Sequence, residues 1–254
     1  MCKYKRLTHS YPHRNTTMKY YTKQTDITIP IMMHLDRALV TTLSKEAKSK
    51  IRNKFRLLAK DIIKDTESLF ARQSLHQKIK FELLGVKIVR NDTKKVRMNR
   101  NVSQYLKSYC QWQGDKKVAR KKWFYSVMFT GLDLYYLDQN GARVTSSTGR
   151  GYARGICSNK NSCTVLEWHP ENIALILTHE LAHSLGMSHD GPSQNECHAP
   201  QNGQRYIMDA KYNPRNPAKN WSLCNKRELV KFLKSKQAWC LRQDSKLKLF
   251  HNYN

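Results

Sequence analysis

Three histidines and one glutamate cluster in the segment Thr178-His179-Glu180-Leu181-Ala182-His183-Ser184-Leu185-Gly186-Met187-Ser188-His189-Asp190. Residues four apart share one face of a helix, so His179 and His183 can aim two imidazole nitrogens at one ion. Glu180 adjoins the first of them and can reach a water beside the ion rather than the ion itself. Gly186 lets the chain leave the helix through a backbone conformation other residues avoid, and His189 then completes a three-histidine site. Three neutral ligands leave the fourth tetrahedral position of a zinc ion open, which is the catalytic arrangement. A water held there has its pKa lowered to about 7, so Glu180 can take its proton as it attacks a peptide carbonyl. The ion stabilises the oxyanion that develops, and Glu180 passes the proton to the leaving amine. A bare H-E-x-x-H recurs by chance in unrelated helices; the offsets of Gly186 and His189 are what make this occurrence specific. The other histidines, among them His34, His169 and His198, have no such spacing and read as surface or ordinary polar residues.

The elements that must position this cluster are legible around it. Glu171–Gly186 predicts a helix, with Ala174, Leu177, Leu181 and Leu185 spaced for one buried face. Ile27–Leu35 (ITIPIMMHL) reads as a strand, placed near a sheet edge by Pro30. Ser44 to about Gln73 shows a helical period with Ile51, Phe55, Leu58, Ile62 and Leu69 on one stripe and many lysines and arginines elsewhere. Ile79–Val89 and Trp123–Phe129 predict two more strands, Val102–Gln113 a shorter helix, and Asn225–Lys236 a final helix. Asp138–Gly155, rich in Gly, Ser and Thr, suits turns around an exposed strand. Strands alternating with helices argue for an α/β layered domain. We divide the chain into a basic tail or leader remnant at 1–26, one domain at 27–242, and a short tail at 243–254.

Composition bounds the function. The chain has 254 residues, 39% hydrophobic and 26% charged, in keeping with one soluble globular domain, and no apolar run long enough to span a membrane. Its net charge of +27 attracts anionic glycans, acidic surfaces or nucleic acid without choosing among them. The seven cysteines form no C-x-x-C pair, which argues against a cysteine-built metal or redox site. Six lie from Cys110 onward and read as a disulfide framework, hence an oxidising compartment. Sequons at Asn15, Asn91, Asn101 and Asn220 agree with secretion and glycosylation, although Met1 begins no visible signal peptide.

The histidine motif, together with Tyr206-Ile207-Met208-Asp209 downstream, resembles the metzincin metalloproteases, with Met208 in their methionine turn. Asp190 directly after the third histidine resembles the reprolysin (adamalysin) branch, where that aspartate supports the site. Tyr109-Cys110-Gln111-Trp112-Gln113, Gly155-Ile156-Cys157, Ser162-Cys163, Trp221-Ser222-Leu223-Cys224 and Trp239-Cys240-Leu241 are similar to segments of ADAMTS catalytic domains. The single-domain reprolysins of venom and saliva offer a further analogy. The resemblance implies a metzincin fold: a twisted mixed sheet with long helices and a small C-terminal subdomain. It implies disulfides Cys110–Cys163, Cys157–Cys240 and Cys197–Cys224, and packing of Met208 beneath the metal ligands. It also implies a structural calcium, but Pro30 and Gln243 stand where its ligands belong and Asp133 alone matches, so calcium is not expected. A basic stretch, Lys3-Tyr4-Lys5-Arg6, resembles a processing site whose cleavage after Arg6 removes the unpaired Cys2.

The function expected is a secreted, monomeric zinc endopeptidase acting on extracellular proteins, with matrix or blood proteins as substrates. Two other classes fit the charge: a basic binding protein with a purely structural zinc, and a nucleic-acid-binding protein. Glu180 has no use in the first, and the second leaves the histidine array unexplained.

Overall fold

The computed structural model describes residues 27–44, 48–89, 96–120, 122–145, 149–191, 196–197, 205–210 and 217–242. Cys2, Arg6, Asn15, Asn91, His198, Gln243 and the two tails lie outside them. The elements in chain order are β1 (Ile27–Leu35), α1 (Arg37–Leu43), α2 (Lys48–Phe70), β2 (Ile79–Ile88), α3 (Val102–Arg120), β3 (Tyr125–Thr130), β4 (Tyr136–Leu137), β5 (Arg143–Val144), β6 (Gly149–Gly151), β7 (Cys163–Glu167), α4 (Ile173–Ser184) and α5 (Leu223–Lys234). A 3-10 helix at Lys236–Leu241 follows.

The main sheet has the order β2-β1-β3-β7-β6. Its first four strands are parallel and β6 runs antiparallel to β7. The mixed α/β architecture is the one the sequence predicted. β1 is not at the edge, however. Its pairing with β3 begins only at Ile31, so Pro30, whose missing N–H would disrupt a ladder, lies on an overhang flanked by β2 alone.

One core joins α2 and α4 to one face of the sheet, and a second joins α3 to the other face. On α2 the buried stripe is Ile51, Phe55, Ala59, Ile62, Thr66 and Phe70, while Leu58 is exposed and Leu69 half-buried. The predicted stripe is rotated because Ala59 and Thr66 carry little hydropathy yet allow close approach. Thr66 satisfies its hydroxyl by donating to Ile62 O at 2.7 Å. The short helix α1, absent from the sequence reading, is capped by Asp36, which accepts from Leu39 N at 2.8 Å.

α3 runs past Gln113 to Arg120. Gly114 does not end it, because that position is a close approach: a Cβ there would lie 3.2 Å from Asn159 O and 3.3 Å from Lys160 Cα. Beyond it the buried Lys117 donates to Ser162 O and Oγ at 2.8 and 2.7 Å, fastening α3 to the start of β7. Strand β7, buried over its first four residues, was missed by the sequence reading because a short apolar run carries no period of its own.

His34 is a core residue, not a surface one. Its Nδ1 lies 2.9 Å from Tyr109 Oη and its Nε2 3.4 Å from Gln113 Nε2. Burial, with Lys116, Lys87 and Lys117 nearby, lowers its pKa to about 3. The unfolded chain therefore takes up a proton below about 6.5 that the folded chain refuses, so stability falls as pH drops through that window. Replacing His34 by Gln removes this part of the acid slope. Urea titrations of zinc-loaded wild type and variant at pH 7 and pH 4.5 check it, and equal slopes would refute it.

Candidate active site

Helix α4 is apolar on nearly every side, with Ile173, Ile176, Leu177, Leu181 and Ala182 buried. That burial fixes its rotation and turns His179 and His183 to one side. The helix ends at Ser184, where Gly186 takes φ +88°. The chain doubles back and returns His189 to the same point. His189 Nε2 lies 3.1 Å from His179 Nε2 and 3.0 Å from His183 Nε2. All three residues offer ligand atoms within 4.8 Å of one another.

The remaining ring nitrogens are spoken for. His179 Nδ1 lies 2.7 Å from Ile207 O, and His183 Nδ1 lies 2.9 Å from Met187 O. Each Nδ1–H donates to a carbonyl, so each Nε2 carries its lone pair inward. Burial, reinforced by the neighbouring imidazoles, lowers the pKa of His179 to about 3 and of His183 to about 4, and burial lowers that of His189 as well. Neutral rings are the ligand form. Lone pairs converging at this distance repel one another unless a cation lies among them. Tetrahedral nitrogen ligands about 2.05 Å from zinc stand ~3.3 Å apart, so the arrangement fits zinc with small adjustment.

Glu180 is buried on the same helix, facing β6. Gly151 N–H hydrogen-bonds its carboxylate, and burial pushes its pKa up to about 7 against that bond and the charge of Arg150. Ser184 Oγ, donating to Glu180 O at 3.2 Å, is itself 2.8 Å from Tyr125 Oη, which anchors the helix to β3.

The turn at Tyr206–Asp209 touches the site through Ile207, whose carbonyl accepts His179 Nδ1–H. Met208 is fully buried, and its carbonyl accepts Asp190 N at 2.8 Å. Asp190 Oδ1 accepts Ser222 Oγ at 2.6 Å. Glu228 on α5 accepts both Ser188 N and Ser188 Oγ, at 2.9 and 2.6 Å, and Asn225 Nδ2 donates to Ser188 O at 3.2 Å. The residue before the third histidine is thus clamped from α5. Glu228 and Asn225 escaped the sequence reading because no local spacing links them to His189.

The structure pairs Cys110 with Cys163, Cys157 with Cys240, and Cys197 with Cys224. These join α3 to β7, the loop before β7 to the 3-10 helix, and the segment beyond His189 to α5. Asn101 uses its side-chain oxygen to cap α3 at Ser103 N and Gln104 N, whereas Asn220 is exposed. Asp133 is exposed and Pro30 buried.

Arg154 departs from the usual backbone. It holds φ +57° while its N–H donates to His183 O at 2.9 Å, closing the end of α4. A left-handed conformation costs an L-residue roughly 1–2 kcal/mol, and glycine gives back part of that gain as unfolded-state entropy. Arg154→Gly is therefore expected to stabilise the protein by about 1 kcal/mol. Denaturant midpoints check it; a lower midpoint overturns it.

Three imidazoles on one point, beside a buried carboxylate in an α/β fold, make a set that could hold one metal ion. Comparison with known proteins narrows the class. Residues 44–245 match the family described as "Reprolysin (M12B) family zinc metalloprotease". The chain belongs to that family. Similar relatives include "A disintegrin and metalloproteinase with thrombospondin motifs 18" of Mus musculus, 28% identical over 180 residues, covering 70% of this chain and 14% of the relative. The Homo sapiens protein of that name is 31% identical over 150 residues, covering 59% and 12%. "A disintegrin and metalloproteinase with thrombospondin motifs 16" of Mus musculus is 28% identical over 188 residues, covering 73% and 15%. The match thus spans only 12–15% of these relatives' length. A solved structure described as "Structure of a chaperone-substrate complex" shares the fold at a TM-score of 0.54 and 12% identity, over 89% of this chain and 35% of that one.

Proposed function

We propose that residues 27–242 form a secreted endopeptidase unit that hydrolyses internal peptide bonds of extracellular proteins, with Glu180 as general base and His179, His183 and His189 holding zinc. The observation that carries this reading is the convergence of three inward-facing Nε2 atoms beside the buried carboxylate of Glu180. Zinc held there supplies Lewis acidity, which polarises a carbonyl and makes a water easier to deprotonate. Glu180 accepts that water's proton and delivers it to the leaving amine, and Gly151 N–H keeps the carboxylate in place between the two transfers. Asp190, Gly186 and the turn around Met208 set the direction of His189 and His179. Strand β6 is the outer strand of the sheet, beside α4, and an extended peptide can pair with it by β-augmentation.

Three disulfides support an oxidising compartment. No helix among the described residues is long and apolar enough to cross a membrane. The chain's charge of +27 is the support for anionic glycans as further partners.

Digestion of casein and of a peptide library tests the reading, using protein refolded with its disulfides formed. Activity is expected to disappear on chelation and return on adding zinc, with one zinc bound per chain by metal analysis. Zinc-loaded protein that cleaves neither substrate would overturn it.

A further inference from the structure

Strand β6 is Gly149-Arg150-Gly151, and both glycines have steric reasons. A Cβ at Gly149 would lie 2.7 Å from Leu166 Cδ2 and 3.4 Å from Glu180 Cγ; one at Gly151 would lie 3.3 Å from Glu180 O and 3.4 Å from Ser184 Oγ. The strand therefore rests directly on α4, and Arg150 is the single side chain it presents. Arg150 pairs with Val165, and directly opposed residues of an antiparallel pair point to the same face. Val165 packs in the α3 core, so Arg150 leaves the strand on the face opposite Glu180. Its Nη1 donates to Ser103 Oγ, on the first turn of α3, at 3.0 Å. No carboxylate among the described residues lies within ion-pair distance of it. Arg150 is nevertheless near enough for its charge to act on Glu180 and His183. One turn along α3 from Ser103, the exposed Lys107 lines a groove of about 560 Å³ together with Arg97, Gln104 and Gln111; one carboxylate, Asp115, also lines it.

We propose that Arg150 is a specificity-determining residue, selecting substrates with an acidic side chain at the position that lies beside it when the peptide pairs with β6, and that Lys107 and Arg97 extend this preference to flanking acidic residues. The inference rests on the endopeptidase reading. A peptide added outside β6 alternates its side chains between the two faces of the sheet. Those on the α4 face meet the reacting centre, and those on the α3 face pass an arginine whose guanidinium donates to a neutral hydroxyl. A carboxylate there forms a charge-assisted contact with that guanidinium. At a solvent-exposed rim such a pair is worth up to about 1 kcal/mol, or about two- to fivefold in kcat/KM.

The test uses zinc-loaded full chain and a set of quenched fluorescent peptides. Glu, Gln or Lys is placed in turn at each position flanking the cleaved bond. At one position the wild type is expected to prefer Glu over Gln by about two- to fivefold, and about 0.5 M salt to shrink that ratio. Arg150→Gln should flatten the preference, and Arg150→Glu should invert it towards Lys, a gain that loss of folding cannot produce. If wild type cleaves the peptides but the Glu/Gln/Lys ratios match those of Arg150→Glu, the inference fails while the endopeptidase reading stands. Cleavage indifferent to acidic residues yet inhibited through Arg150 by a sulfated oligosaccharide would assign the charge to a glycan and overturn the inference. If wild type cleaves none of the peptides, the endopeptidase reading fails and takes this inference with it.

Discussion

Glu180→Gln is expected to lower kcat by about 10²–10⁴-fold while the protein still binds one zinc, this being the usual contribution of a positioned general base. The size follows from what the residue does. Its carboxylate is buried against β6, held by Gly151 N–H, and adjacent in sequence to the first ligand without belonging to the group whose ligand atoms converge. Removing its basicity therefore leaves the histidines and their carbonyl partners in place. Gln is nearly isosteric, its carbonyl oxygen can still accept from Gly151, and burying an uncharged amide costs less than burying a carboxylate. The unfolding temperature should consequently not fall. Metal stoichiometry, thermal unfolding and single-turnover cleavage on one preparation decide the matter. A zinc-loaded variant retaining more than roughly a tenth of wild-type kcat would remove Glu180 from the proton transfer.

Gly186→Ala carries the second large effect, and it acts through the fold rather than the chemistry. Gly186 occupies φ +88°, and a Cβ there would stand 2.9 Å from Phe232 Cδ2 and 3.0 Å from Phe232 Cβ and Cγ. The left-handed backbone costs about 1–2 kcal/mol and the overpacking against α5 about 1–3 kcal/mol. Their sum, about 2–5 kcal/mol, corresponds to a fall in unfolding temperature of roughly 5–15 °C for a domain of this size. The strain sits three residues before His189, so zinc affinity should also drop, by about 10–100-fold as for other residues that orient ligands. Calorimetry and competition with a chromophoric chelator measure both; an unchanged melting temperature and zinc affinity would refute the account.

Much of this was readable before any coordinates, and the reason is locality. His179, Glu180 and His183 share one turn of helix, Gly186 announces the helix end, and His189 follows within reach. Helical period and backbone permissiveness are properties of a few adjacent residues. The strands at Ile27 and Ile79 and the final helix near Asn225 were readable for the same reason, through runs of apolar side chains. Readings faltered where a position answers to a distant neighbour. Pro30 pointed to an edge strand, yet β1 lies inside the sheet, and the proline is tolerated because pairing with β3 begins one residue later. The helix predicted over Val102–Gln113 runs on to Arg120, with Gly114 accommodating the loop at Asn159. His34 read as an ordinary polar residue, yet Tyr109 and Gln113 enclose it.

The sequence by itself determined the cluster of three histidines and a neighbouring glutamate that we propose as the reacting set, and the layered α/β class that carries them, because both are encoded in short-range spacing. Tertiary structure alone decided that Ile207 and Met187 carbonyls select the tautomers of His179 and His183, and that Glu228, 39 residues beyond His189, clamps the residue preceding it. It alone placed Arg150 on an outer strand, on the face opposite Glu180. Those relations depend on which elements pack together, and packing is a property of the whole chain that no local pattern records.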